Sequence, residues 1–91
     1  MGATNIHYEA PKSKFKSARE AYKALVEEET ERYGTDPYNG TISTCRYVGE
    51  IGRPDGQDEY DRILDYRITE TGYCAHYETE KYYVFVGWAR T

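Results

Sequence analysis

Apolar and polar positions along this chain alternate with two different periods, and the changes of period mark its elements. Residues 5–9, "NIHYE", alternate with a period of two and predict a short strand, which "APKSKFKS" breaks because Pro11 offers no amide proton to a ladder. Ser17 followed by Glu20 forms a capping box, in which each side chain satisfies the other residue's free amide. A helix then runs through "AREAYKALVEEETERY" and ends where Gly34 supplies a left-handed residue. Its apolar face is Ala18, Ala21, Tyr22, Leu25, Val26 and Tyr33. At about 100° per residue Glu29 falls near the middle of that face. The expectation is that the last helical turn overhangs its support, or that Glu29 pairs at the rim; a buried carboxylate held by a tyrosine, histidine or arginine is the alternative.

The stretch "YGTDPYNGTISTC" is rich in residues with special backbone roles. Gly34 stops the helix, Asp36-Pro37-Tyr38-Asn39 fits a type I turn, and Asn39 or Gly40 releases the chain into a strand, "TISTCRYV". It lacks the phosphate-loop patterns and precedes a strand, so it reads as a corner with Tyr38 at its tip. An acidic, glycine-rich loop, "GEIGRPDGQD", follows. In "DEYDRILDY", Tyr60, Ile63 and Leu64 have helical spacing, whereas "LDYRITE" also alternates as a strand. Thr71-Gly72 turns the chain into "YCAHYE", and "KYYVFVGWA", apolar on both faces, predicts a central strand. The expected fold class is α+β: a two-layer sandwich of one long helix on a mostly antiparallel sheet of about four strands.

Length refines this picture. With 91 residues, positions 1–91 form a single domain with a thin core, which favours surface binding over a deep catalytic cleft. No apolar run reaches the roughly 18 residues of a membrane span, and the N-terminal segment has no signal-peptide pattern. A cytoplasmic, membrane-free protein is the expectation.

Net charge is −4, unevenly spread. Lys12, Lys14, Lys16, Arg19 and Lys23 face a single acid, Glu20, between positions 12 and 23. Glu50, Asp55, Asp58, Glu59, Asp61 and Asp65 outnumber Arg53 and Arg62 in the following acidic segment. This balance opposes direct nucleic-acid binding and suits a basic partner. The eleven tyrosines supply stiff amphipathic contact area, although tyrosine also serves a half-buried strand.

Candidate chemistry is sparse. His7, Cys45, Cys74 and His76 are zinc-ligand types, and Cys74 and His76 share a strand face, but no paired C-x-x-C spacing occurs. Neither cysteine has the helix N-terminus that activates a nucleophile. The carboxylates of residues 55–65 would need a sugar cleft to act as a glycosidase pair. The expectations are core thiols, no metal, no cofactor and no enzymatic activity.

In its acidic runs "EEETE" and "GQDEYDRILD", its tyrosine content and its size, the chain resembles small anti-defence proteins of bacteriophages and mobile elements, of the anti-CRISPR and anti-restriction type. The resemblance implies inhibition of a host nucleic-acid-processing complex by occupying its basic surface, with carboxylates in place of phosphates and tyrosines as anchors. Tyr38, Asp55, Asp58, Glu59, Tyr60, Asp61 and Asp65 are the expected contact residues. The alternative is a small-ligand, nucleotide or RNA-binding domain that uses sheet tyrosines.

Overall fold

The computed structural model describes residues 2–67 and 70–91. In chain order these form β1 (Ala3–Pro11), α1 (Ala18–Tyr33), a 3-10 turn (Ile42–Thr44), β2 (Arg46–Glu50), α2 (Gln57–Arg62), a π-helical turn (Ile63–Arg67), β3 (Tyr73–Glu78) and β4 (Tyr82–Arg90). The four strands make one sheet in the order β1-β4-β3-β2. β1–β4 and β4–β3 are antiparallel, and β3–β2 is parallel. The α+β class and the mostly antiparallel sheet are therefore as expected.

β4 occupies an inner position because both of its faces are apolar. Tyr83, Phe85 and Ala89 pack with Ile6, Ala10 and Cys74 beneath Ala18 and Ala21 of α1. Val84 and Val86 pack on the other face with Ala75 and Tyr77, covered by Ile63 and Leu64. The sheet thus carries helical cover on both sides. The two-layer expectation accounts for α1 and the sheet but omits the second, short helical segment. Its cause is the parallel β2–β3 pair, which requires a crossover connection.

Several local expectations change for physical reasons. β1 continues through Pro11 instead of stopping before it. The amides of Thr91 and Lys12 bond to Gly2 and Lys81, so even-numbered residues of β1 face β4 and the Pro11 nitrogen faces the open edge, where no donor is needed. The strand expected from Thr41 starts only at Arg46. Thr41 accepts the Ser43 amide on its side chain and winds Ile42–Thr44 into a 3-10 turn. Residues 57–67 are helical, so "LDYR" is not strand; positions 68 and 69 of that segment lie outside the described residues. Trp88 Nε1–H donates to the Leu64 carbonyl at 3.1 Å and so ties the π-helical turn to β4.

Glu29 does not overhang. It is 7 % exposed, and Arg32 Nη1 lies 3.5 Å from its carboxylate. α1 still lies over the sheet at this point, next to Tyr8, whose hydroxyl is pushed up in pKa first by burial and additionally by the Glu29 charge.

Gly87 is required by close packing. A Cβ there would lie 2.3 Å from the Tyr73 carbonyl oxygen and 2.8 Å from the Cys74 Cα. Gly34, in contrast, has φ of 75° and open space around it. We expect Gly87→Ala to lower stability by about 3 kcal/mol through overpacking, and Gly34→Ala by about 1 kcal/mol through backbone strain. Urea unfolding of both variants checks the order; equal losses would refute it.

Candidate functional site

The expected contact residues are built mostly on α2 and the turn before it. Gly56, at φ 97°, opens the helix without a side-chain cap. The Asp55 amide donates instead to Glu59 Oε2 at 3.0 Å, and Gln57 Nε2 donates to Asp61 Oδ1 at 2.9 Å. Asp58 and Glu59 stand in the first helical turn, where carboxylates favour the positive end of the helix dipole. Ile63 and Leu64 turn toward the sheet. That leaves Asp55, Asp58, Glu59, Asp61 and Asp65 exposed. Among the described residues, no ion pair engages these five carboxylates.

Tyr60 is not displayed as freely as its neighbours. Its hydroxyl lies 3.2 Å from His7 Nδ1, and it packs against the core beneath α2. Burial pushes its phenol above the ordinary range, with the charges of Tyr77 and Asp61 adding to the shift. Tyr60 and His7 border a cleft of about 280 Å³ together with Arg53, Gln57, Tyr77 and Thr79.

Tyr38 is 48 % exposed at the tip of its corner. It borders a separate recess with Gly2, Ala3, Thr71 and Arg90, which includes none of the α2 acids. The structure therefore keeps Asp55, Asp58, Glu59, Tyr60, Asp61 and Asp65 on one short segment, of which Tyr60 borders the His7 cleft, and sets Tyr38 apart at a separate recess. The hydroxyl-rich corner spends its polar groups on itself. The Tyr38 amide donates to Asp36 Oδ1, while Asn39 Oδ1 accepts from both the amide and the hydroxyl of Thr41.

Most tyrosines build the interior. Tyr22 stacks on Tyr47 with ring centroids 5.4 Å apart, and Tyr8, Tyr73, Tyr77 and Tyr83 pack in the two cores. Tyr33, Tyr38 and Tyr82 are the exposed ones among the described side chains.

The four zinc-type residues do not converge. His7 meets Tyr60 on the α2 side, whereas Cys74 and His76 face the α1 side together. Cys45 and Cys74 are free and buried. Their mutual interaction and then burial push the Cys74 thiol above the ordinary range, while the same interaction lowers Cys45, whose thiol donates to the Trp88 carbonyl.

Sequence reasoning missed a different cluster on the α1 side. His76 is 4 % exposed, and both of its ring nitrogens are engaged. Nδ1 lies 2.6 Å from the Tyr47 hydroxyl, and Nε2 lies 3.2 Å from Glu78 Oε2. Lys12 Nζ sits 2.8 Å from Glu78 Oε1 and 5.5 Å from the Tyr83 ring centre. Arg19 lies over the Tyr47 ring. The signal available in the sequence was His76-x-Glu78 at strand spacing; the contributions of Tyr47 and Lys12 come from other elements.

Comparison with known proteins returns no family model, no curated protein and no solved structure that matches this chain.

The hydrogen bond from Lys12, followed by that from His76, holds the Glu78 carboxyl below its ordinary value. A depressed folded-state pKa means that ionised Glu78 stabilises the fold above the unfolded-state value, near 4.5, and that this contribution is lost as pH falls through the folded-state value. Glu78→Gln should therefore show a shallower loss of stability than the parent as pH is lowered below 4.5. Chemical denaturation across that range checks it, and parallel curves would count against it.

Proposed function

We propose that this protein is a non-enzymatic binding protein that docks α2 and the preceding turn onto a basic protein surface. An inhibitor of a nucleic-acid-processing host complex is the function class that fits this reading best. The carrying observation is the array of exposed carboxylates at Asp55, Asp58, Glu59, Asp61 and Asp65, without cationic partners among the described residues. Such an array retains its field for a partner instead of spending it internally.

Two anchors make the array stiff. Tyr60 is held by His7, and the π-helical turn is held by Trp88. Carboxylates presented on a fixed segment lose less side-chain and backbone freedom on docking than carboxylates on a free loop. Tyr38 enters this reading as a secondary contact, since its recess is bordered by other residues.

The cleft at His7, Arg53, Gln57 and Tyr60 supports a second reading, a small anionic ligand such as a nucleotide. The two readings separate by experiment. Binding to a basic partner weakens as salt rises, whereas a small ligand raises the melting temperature of the isolated protein.

Replacing Asp58, Glu59 and Asp61 together by lysine is expected to abolish capture of a basic partner from host lysate at moderate salt. The melting temperature should change little, because all three side chains are exposed. Undiminished capture by the folded triple variant would refute the proposal. A thermal shift on adding nucleotides, lost in Arg53→Ala, would favour the cleft.

A further inference from the structure

We propose that Glu50, His76 and Glu78 form a binding site for a divalent first-row transition ion of the zinc type, with Lys12 as its built-in competitor. One ligand atom from each residue lies within 4.8 Å of the other two. His76 Nε2 and Glu78 Oε2 are already 3.2 Å apart. Two ligands of a tetrahedral ion at about 2.0 Å are separated by about 3.3 Å, so this pair needs almost no rearrangement. Glu50 is exposed and closes the remaining gap by side-chain rotation.

The backbone aims these groups deliberately at one point. His76 and Glu78 are two apart on β3 and share its α1 face. Glu50 lies opposite His76 on β2, but only because the β2–β3 register shifts between Tyr47 and Glu50. Three residues of β2 then span what two span on β3, so Glu50 joins the face of Tyr47 instead of pointing to the opposite one. Gly49, at φ 122°, permits the irregularity. A bulge that turns a carboxylate toward a buried imidazole has no evident packing benefit for an exposed residue.

The surroundings of His76 are those of a metal ligand. Ligating histidines present one nitrogen to the ion and donate the N–H of the other to a fixed acceptor. Without an ion, Nε2–H donates to Glu78 and Nδ1 accepts from the Tyr47 hydroxyl; with an ion on Nε2 the ring takes its other tautomer, and Nδ1–H donates to the Tyr47 oxygen. Tyr47 is itself fixed by stacking on Tyr22 and by Arg19 above its ring. His76 packs against Phe85 and Tyr83, which supply the apolar shell.

Charge supports the same assignment. Glu50 and Glu78 together carry two negative charges, and Lys12 neutralises only one of them. A divalent ion balances both and displaces the Lys12 ammonium, which is partly exposed, into solvent. The mixed imidazole and carboxylate donor set suits zinc and its first-row neighbours and disfavours magnesium, which prefers all-oxygen octahedra.

The test is calorimetric titration of the full chain with zinc chloride, with magnesium chloride as control. We expect one zinc ion per chain and no magnesium uptake. Glu50→Gln, an exposed change that leaves the fold intact, should weaken zinc at least tenfold. Tyr47→Phe should weaken it about tenfold, as loss of an outer-shell hydrogen bond does elsewhere. Lys12→Met should tighten it several-fold, an effect that a purely structural role for Lys12 would not produce. The cobalt derivative should lack thiolate charge-transfer absorption. Absence of stoichiometric zinc uptake by both the parent and Lys12→Met would overturn the proposal. So would unchanged affinity in Glu50→Gln, or a cobalt spectrum that places the ion on Cys45 and Cys74.

Discussion

Burial of both faces of β4 is the constraint on which the rest of this structure depends. A strand that is apolar on one face needs a single covering layer; one that is apolar on both needs two. α1 covers Tyr83, Phe85 and Ala89, and the π-helical turn after α2 covers Val84 and Val86. Among the described residues, one covering element is a 16-residue helix and the other a short helical segment. The short one is therefore anchored by individual contacts, Tyr60 to His7 and Trp88 to Leu64, instead of by a long apolar face.

This division assigns different chemistry to the two sides of the sheet. The α1 side is dense in aromatic rings, and its polar groups are paired: Tyr47 with His76, His76 with Glu78, Glu78 with Lys12. Glu29 follows the same rule at the far end of α1, where Arg32 meets it. The α2 side carries the exposed carboxylates and the cleft beside Arg53. A paired polar network anchored on buried His76 and a set of exposed carboxylates thus sit on opposite sides of one sheet.

The tyrosines illustrate how a composition signal divides in three dimensions. Their abundance suggested an interface, and three of the described ones, Tyr33, Tyr38 and Tyr82, are exposed. The others fill the cores, because a small sheet has few fully dry positions and a phenol ring tolerates a wet edge. Tyr8, Tyr22 and Tyr47 each also place a hydroxyl on a named partner, which phenylalanine would leave unbonded.

What the sequence determined by itself was local. The N-cap at Ser17, which accepts the Glu20 amide, the stop at Gly34 and the two-faced pattern of β4 are decided by neighbours a few residues away, although Glu20 itself accepts from the Lys16 amide and not from Ser17, and residues 59–66 fit helix and strand alike. The acidic character of residues 55–65 was equally plain, since charge is read directly from residue type. Tertiary structure decided the rest. Only strand order revealed that Pro11 lies on an open edge, and only the path of α1 across the sheet buried Glu29. Only the register shift between β2 and β3 brought Glu50 to His76, and only the pairing of β1 with β4, which ends with the Lys12 amide on the Lys81 carbonyl, brought Lys12 to Glu78. These contacts join residues more than twenty positions apart. No period along the chain encodes them, because they follow from which strand edges meet and not from the pattern within any one strand.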